Sequence, residues 1–264
     1  MGTTVPAMEQ TKYTDGFYHI GARSAPSWLL ESTDGLILID TGMPDTLPTI
    51  LANIEALGYD VRDVRHIIHS HGHIDHLGCT RYFVETTGAK TYIGRGDADT
   101  ARGVDELQYT NEFNMPFEGA FEPDVLIDDG DIITIGNRTF RFVSTPGHTR
   151  GTLSIFFNVT DGGQDYVAGM HGGGGLNTMA SAYLKKYGLP ASLRDDFIAG
   201  IDRVLDETVE VHVGNHLGDN RHAEKLAAVG GEGNPFLDGS SWRPFLLRRR
   251  AEALARFETD PITE

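Results

Sequence analysis

The sequence predicts an α/β fold in which two β-sheets pack face to face and helices cover their outer sides. Strand-like segments cluster in both halves of the chain, and helical segments are inserted between them at intervals. The chain has 264 residues, of which 39% are hydrophobic, so it can form a core large enough to hold a buried polar site. No linker-like stretch divides the sequence, and a single domain over residues 1–264 is expected.

Short apolar segments bounded by turn residues predict five β-strands in the first half of the chain. They are Phe17–Gly21, Ser27–Glu31, Gly35–Asp40, Val64–His69 and Lys90–Ile93. Leu47–Leu57 has apolar residues at helical spacing and ends at Gly58, a common C-terminal stop for a helix. Thr80–Thr87 is a second predicted helix, so helices are inserted between the later strands.

The second half repeats this arrangement. Asp131–Ile135 and Thr139–Ser144 are expected to form a hairpin across the turn at residues 136–137. The other predicted elements are strands at Leu153–Val159, Tyr166–Met170 and Val209–Val213 and helices at Leu193–Asp206 and Ser241–Phe257. The last of these is the predicted C-terminal helix, at about 241–257.

The charge of the chain argues against nucleic acid as a partner. The formal net charge is −16, from 22 Lys and Arg against 38 Asp and Glu. Non-specific nucleic-acid binding depends on Lys and Arg that displace counterions, so no binding is expected. The dense basic run Arg248–Arg250 is predicted to be the solvated face of the last helix.

Export and membrane insertion are not indicated either. The N-terminal residues lack a basic start followed by an apolar core, and no apolar run approaches the roughly 18 residues of a membrane span. With Cys79 as the one cysteine, no internal disulfide can form. A cytoplasmic location without membrane contact is therefore expected.

The segment Ser70–His76 concentrates residues that bind metals. It reads Ser-His-Gly-His-Ile-Asp-His and follows a predicted buried strand. Imidazole is the commonest neutral metal ligand, and a nearby carboxylate supports a divalent cation. On an extended turn, His71 and His73 are expected to converge on one point, with Asp75 and His76 at a neighbouring one.

Two later histidines extend this cluster. His148 lies in the tight turn Pro146-Gly147-His148 after a predicted strand, and His216 follows a later strand. Together with the first cluster they complete two sets of three ligands. Each set leaves a position open for solvent, as a catalytic zinc site requires.

The order His-x-His-x-Asp-His, then Pro-Gly-His, then a late histidine resembles the metallo-β-lactamase superfamily. The segment Ile39-Asp40-Thr41-Gly42 after an early strand is also similar to that superfamily. The similarity extends over residues 17–257, and its first motif is highly specific. It implies an αββα sandwich of two mixed sheets flanked by helices, with the site at one edge of the sheets.

Carried over residue by residue, the resemblance implies two zinc ions per chain. The six expected ligands are His71, His73 and His148 for one ion, and Asp75, His76 and His216 for the other. Asp40 would orient a ligand histidine from behind, as such partners fix the tautomer and the ring direction.

One position departs from part of the superfamily. Thiolesterases of the glyoxalase II type and many lactonases carry an aspartate that bridges both metals after the strand matching residues 166–169. This chain has Met170 there, and His171 is predicted to point to the opposite face. In lacking this aspartate, the chain resembles the third metallo-β-lactamase subclass. Because those enzymes are normally exported, an intracellular relative with another substrate is also consistent with the sequence.

The expected function is that of a zinc-dependent hydrolase acting on a carbonyl group of a small molecule, in a lactam, amide, lactone or ester. Zinc lowers the pKa of bound water from about 15.7 to about 7, so hydroxide is available at neutral pH. Asp75 is the predicted catalytic residue, which orients the nucleophile or accepts its proton. No Gly-x-Ser-x-Gly motif is found.

Three alternatives stay open. A thiolesterase of the glyoxalase II kind is disfavoured by Met170. A di-iron oxidoreductase of the flavoprotein class has Glu at the position of His73, where imidazole favours zinc. A non-catalytic member of the fold that only binds metal is the third.

The remaining polar residues receive simpler interpretations. Three histidines in predicted strands are expected to be structural: His19, His66 and His212. Cys79 is expected to be a small buried hydrophobic residue. Four residues stay open between a structural role and contact with substrate: His171, His222, Asn220 and Tyr183.

Overall fold

The structure, a computed structural model, describes residues 8–23 and 26–262. Its first sheet is built from residues 11–127 and has seven strands that neighbour one another in chain order. They are β1 (Thr11–Thr14), β2 (Phe17–His19), β3 (Trp28–Ser32), β4 (Gly35–Ile39), β5 (Val64–Ile68), β6 (Lys90–Gly94) and β7 (Val125–Ile127). The first four strands pair antiparallel, and β4 to β7 pair parallel.

The second sheet is built from residues 132–212 and has five strands in the order β12-β11-β10-β9-β8. They are β8 (Ile132–Ile135), β9 (Arg138–Ser144), β10 (Leu153–Asp161), β11 (Gln164–His171) and β12 (Val211–His212). All neighbours pair antiparallel except β11 and β12, which are parallel. Each sheet therefore comes from one continuous half of the chain, and both are mixed.

The described residues also form eight α-helices. In chain order they are α1 (Leu47–Ala56), α2 (Ile74–Leu77), α3 (Thr80–Thr87), α4 (Ala98–Ala101), α5 (Ser181–Tyr187), α6 (Leu193–Val204), α7 (His222–Ala227) and α8 (Trp242–Thr259). Gly88 ends α3 in the left-handed conformation, at φ 68°, and its N–H donates to the carbonyl of Val84. Such a cap satisfies a carbonyl at the end of the helix at little cost in strain.

Three hydrophobic clusters define the layers of the molecule. The largest lies between the sheets and joins side chains such as Trp28 and Ile39 of the first sheet to Phe140 and Ile155 of the second. A second cluster packs α1 and α3 on the outer face of the first sheet, and a third packs α6 and α8 on the outer face of the second. This confirms the predicted αββα sandwich.

The predicted elements agree with the structure apart from their ends. The C-terminal helix begins at Trp242, one residue after its predicted start, and the last predicted strand is reduced to Val211–His212. The short strands β1 and β7 and the short helices α2, α4, α5 and α7 were not predicted from the sequence. No helix among the described residues is long and apolar enough to cross a membrane.

Candidate metal centre

The polar residues singled out from the sequence follow strands that end at one edge of the sandwich. β4, β5 and β6 are parallel, so Asp40, the segment after Ile68 and Asp97 all follow the carboxyl ends of neighbouring strands. In the second sheet, β9 and β12 run in the same direction as β11, and the loops after them carry His148 and His216. The topology thus brings histidines from distant parts of the chain to one place.

Three histidines meet in the first group. One ring nitrogen each from His71, His73 and His148 lies within 4.8 Å of the other two. The Nε2 atom of His71 is 3.1 Å from the Nδ1 atom of His73, and the His148 ring centroid is 4.5 Å from that of His73. This arrangement fits three imidazole ligands around one divalent cation.

Neighbouring groups fix the tautomers of two of these rings. The Oγ–H of Ser70 donates to Asp40, so Ser70 Oγ accepts from His71 Nδ1, at 3.1 Å. The Nδ1–H of His148 donates to the carbonyl of Gly175 at 2.9 Å. Both rings therefore keep an Nε2 lone pair for a metal ion, which is the usual function of such hydrogen bonds.

A second group shares His71 with the first. Ligand atoms of His71, Asp75 and His76 lie within 4.8 Å of one another. Asp75 Oδ2 is 3.3 Å from His76 Nε2 and 3.8 Å from His216 Nε2. The structure thus brings all six expected ligands together, and it places His216 beside Asp75 at the more exposed side, where 43% of the His216 side chain is accessible.

Asp40 lies behind this second group and is almost completely buried. Its Oδ2 accepts from His76 Nδ1 at 2.8 Å and from Ser70 Oγ at 2.7 Å, and its Oδ1 accepts from the Ser70 amide at 2.8 Å. The Asn215 side-chain amide donates to the same Ser70 hydroxyl. Asp40 therefore aims the Nε2 atom of His76 at the centre.

The charge state of the centre differs between the two groups. Burial lowers the pKa of His71 and His73 well below the ordinary value and that of His148 to about 4, so these rings are neutral. Burial also acts to lower the pKa of His76, but the carboxylates of Asp75 and Asp40 outweigh it and raise this pKa to about 10. In the second group a metal ion must therefore displace a proton.

The donor set fits a divalent cation. The Nε2 atom of His76 is buried, and the Asp75 carboxylate at 3.3 Å faces it as an ion-pair partner without the geometry of a hydrogen bond. It faces a carboxylate and lies beside other ring nitrogens whose lone pairs converge. A cation would satisfy these atoms together, and neutral imidazoles with a carboxylate are the ligands that Zn²⁺ prefers.

Asp97, which the sequence analysis did not single out, connects the two loops that carry the three-histidine group. Its buried carboxylate accepts from the amide of Gly72 at 2.7 Å, from the amide of Gly151 at 2.8 Å and from the hydroxyl of Thr149 at 2.6 Å. Burial raises its pKa to about 6 against the effect of these donors, so it is ionised at neutral pH. The sequence signal that could have indicated Asp97 is its position just after β6, a strand that ends at the same edge of the sheet as the histidine motif.

Replacing Asp97 with asparagine is expected to lower the free energy of unfolding by about 1–3 kcal/mol at pH 7, because an amide group would face at least one of the three donors. Urea unfolding of the metal-free protein measures this. The control is Asp99→Asn, an exposed carboxylate of α4 that pairs with Arg102 at 3.2 Å. Equal unfolding free energies for the two variants would contradict a connecting role for Asp97.

Most of the other histidines lie away from the centre. Two strand histidines have hydrogen-bond partners in their own surroundings: His66 at Tyr92 and His212 at Ser241. His171 points away from the inter-sheet core, where Met170 is buried, and contacts Ser154 and Phe245. This is the alternation predicted for that strand.

Cys79, Asn220 and Tyr183 contact neighbouring residues of the fold. The sequence left the roles of Asn220 and Tyr183 undecided, and the thiol of Cys79 could have been reactive. Cys79 is buried, and burial raises the pKa of its thiol to about 12, so it is not a nucleophile. Asn220 donates to Tyr13 and to the carbonyl of His212. Tyr183 stacks on Tyr109, whose ring lies 5.2 Å from that of His73.

Comparison with known proteins identifies the family. The profile of the Metallo-beta-lactamase superfamily matches residues 20–161, more than half of the chain. The chain belongs to this superfamily. Several proteins similar to this chain are named as hydrolases, and the chain is a hydrolase of the metallo-β-lactamase superfamily.

Relatives within the superfamily have different named activities. A hydroxyacylglutathione hydrolase of Anaeromyxobacter dehalogenans is 27% identical over 237 residues, which cover 90% of this chain and 76% of that protein. An N-acyl homoserine lactonase of a Bacillus species is 29% identical over 163 residues, 52% of this chain and 60% of that protein.

Solved structures share the whole fold. BJP-1, a subclass B3 metallo-β-lactamase of Bradyrhizobium japonicum, superposes with a TM-score of 0.88 at 25% identity, covering 98% of this chain and 97% of that one. FEZ-1 from Legionella gormanii, another metallo-β-lactamase, gives a TM-score of 0.88 at 22% identity with full coverage of both chains. Subclass B3, to which BJP-1 belongs, is the third metallo-β-lactamase subclass, the one that the chain resembles in lacking the bridging aspartate.

Proposed function

We propose that this metallo-β-lactamase superfamily member is a dinuclear zinc hydrolase that cleaves a carbonyl compound of small size: a lactam, lactone, amide or ester. The observation that carries the proposal is the pair of ligand groups that share His71, each with ligand atoms within 4.8 Å of one another. Two such groups in contact suit the two-metal arrangement used in hydrolysis.

The residues divide between the two ions as follows: His71, His73 and His148 hold one, and Asp75, His76 and His216 hold the other. When bound, zinc supplies a Lewis acid and lowers the pKa of a coordinated water to about 7. The buried hydrogen bond from His76 to Asp40 keeps the ring in the tautomer that binds through Nε2.

Asp75 is the proposed catalytic residue. Its side chain is 18% exposed, so it faces the open side of the centre while its Oδ2 atom stays beside His76 and His216. From there the carboxylate can accept a hydrogen bond from the attacking water and orient it towards a carbonyl carbon. The ring of Tyr109 lies beside His73, with the two ring centroids 5.2 Å apart.

The substrate class is supported by the structural likeness to subclass B3 enzymes and by the similarity to a named lactonase. A thioester is the second candidate, because the hydroxyacylglutathione hydrolase is similar over 90% of this chain. Against it stands Met170, which lies in the hydrophobic cluster between the sheets and provides no carboxylate to bridge two ions.

A zinc titration is expected to give close to two ions per chain, with the three-histidine group filled first. The rings of His71, His73 and His148 are already neutral, whereas His76 must lose a proton held by two carboxylates. Elemental analysis after reconstitution and a competition titration with a zinc indicator measure both points. Iron in place of zinc, or a single ion at saturation, would refute the dinuclear zinc assignment.

The activity test uses the zinc-loaded protein against lactams, lactones, carboxylic esters, thioesters and phosphodiesters. Turnover of one of the first three classes that is lost on chelation and restored by zinc is the expected result. Turnover of thioesters alone would favour the second candidate. Failure on every class with two zinc ions bound would point to a non-catalytic member of the fold.

A further inference from the structure

A large cavity lies between the connection of β2 to β3 and the start of α7. Its volume is about 740 Å³, within the range of small-molecule sites. Leu217 and Gly218, which directly follow His216, line one side of it. Arg23 lines another side and lies in the connection between β2 and β3. The strand ends that this connection joins, at His19 and Trp28, pair with each other, and Trp28 also pairs with Ile39, the residue before Asp40. The cavity is therefore at the same edge of the sheets as the metal centre.

The charge of this cavity is opposite to that of the chain. Three arginines line it, Arg23, Arg221 and Arg248, against one carboxylate, Glu224, among its described lining residues. The whole chain carries a formal net charge of −16. A local excess of positive charge on such a chain concentrates field lines that attract an anion.

The three arginines of the cavity differ in their pairing with carboxylates. Arg23 is exposed and forms no ion pair with the described residues. Arg221 pairs with Glu224 at 2.8 Å, and its backbone is in the left-handed region, at φ 60°. Arg248 has Glu252 at 3.9 Å. A left-handed backbone at a residue other than glycine is strained, and such strain is typical of functional sites. Arg221 has this strained backbone, and its side chain lines the cavity.

The remaining lining is apolar. Met8, Leu217 and Leu226 contribute hydrophobic surface, and Leu226 is 42% exposed. His222 adds no charge, because burial lowers its pKa to about 4; its Nδ1 atom and the Tyr13 hydroxyl share a hydrogen bond of 2.7 Å. The cavity thus combines an apolar surface with two positive charges in excess.

We propose that this cavity binds an anionic group carried on an apolar chain, and that it receives the part of the substrate distant from the bond that is cleaved. The inference rests on the proposed hydrolysis and adds a substrate class to it: acyl compounds with a terminal carboxylate or a similar anion. Arg23 and Arg221 bind the anion, and Leu217 and Leu226 contact the chain that leads to it from the metal centre.

Binding of 1-anilinonaphthalene-8-sulfonate, an apolar anion, tests the cavity without any turnover. The double variant Arg23→Gln, Arg221→Gln is expected to raise its dissociation constant about tenfold, because charge-assisted contacts are lost. The control is Arg81→Gln, an exposed arginine of α3 paired with Glu85 at 2.7 Å. A dissociation constant in the double variant equal to that of the control would overturn the proposal.

A pair of esters tests the link to the substrate. The zinc-loaded parent is assayed with 4-nitrophenyl hexanoate and with mono-4-nitrophenyl adipate, which has the same chain length and a terminal carboxylate. The ratio of kcat/KM for the charged over the neutral ester is expected to fall about tenfold in the double variant and to stay constant in Arg81→Gln. An unchanged ratio would overturn the substrate assignment. Binding that depends on the arginines with neither ester cleaved would instead count against the proposed ester hydrolysis.

Discussion

Hydrolysis is expected to fall about a thousandfold or more when His71 or His148 is replaced by alanine. Each variant removes one of three imidazoles around a metal that supplies several kcal/mol of transition-state stabilisation, and each 1.36 kcal/mol corresponds to a factor of ten in rate. His71 should have the larger effect, because its ring lies between the two proposed ions, within 4.8 Å of ligand atoms of both groups. The measurement is kcat/KM at saturating zinc on a substrate identified by the activity test.

The fold should survive both substitutions. His71 and His148 follow strands at the sheet edge and are not among the side chains that form the hydrophobic clusters. Far-ultraviolet circular dichroism and thermal unfolding of the metal-free proteins check this. The control is His66→Ala, a strand histidine whose contacts, Tyr92 and Asp34, lie outside the centre. Unchanged turnover in either test variant, or global unfolding in both, would contradict the placement of these residues.

Asp40→Asn is expected to weaken zinc binding at the second ligand group by about tenfold to a hundredfold, as loss of such a partner typically does. The two carboxylate oxygens of Asp40 accept from the Ser70 amide and from His76 Nδ1. In asparagine one of these oxygens is replaced by an NH2 group, which donates and cannot accept, so one of the two hydrogen bonds is lost. The His76 ring then favours the tautomer with its proton on Nε2, the atom that the metal needs. Activity should fall in parallel at limiting zinc and recover in part at high zinc.

A zinc titration that reads two dissociation constants separates this effect from a general loss of stability. The three-histidine group should keep its affinity in Asp40→Asn, because none of its rings bonds to Asp40 directly. The control is Asp34→Asn, a carboxylate with 69% of its side chain exposed. Equal weakening of both ions in the test variant would mean that Asp40 maintains the fold of the edge and does not specifically orient His76.

The layers could be predicted from the sequence, and the candidate ligands could be singled out, because both signals are local. The apolar spacing and turn residues that predict strands and helices extend over about ten positions, and the metal-binding motif Ser70–His76 is one short continuous segment. The short strands Thr11–Thr14 and Val125–Ile127 were missed, since three or four residues carry too little of a repeating pattern. Their pairing is decided by the neighbouring strands of the sheet.

Contacts between distant residues could not be predicted in the same way. Asp97 bonds to residues 52 and 54 positions away, Thr149 and Gly151, and this contact exists only once the two sheets are docked. The arginine cavity likewise depends on how the loop with Arg23 lies against the start of α7. Nothing in the local sequence distinguishes these arginines from other solvated ones.

The division of the sandwich into two continuous halves has a thermodynamic consequence. His71, His73, Asp75 and His76 come from the half that forms the first sheet, while His148 and His216 come from the half that forms the second. A chain in which only one sheet has formed cannot complete either of the two proposed sets of three ligands. Metal binding and docking of the sheets are therefore linked equilibria: the free energy of one contributes directly to the other. A cation at this edge would act as a reversible cross-link between two modules that are otherwise held by apolar contact.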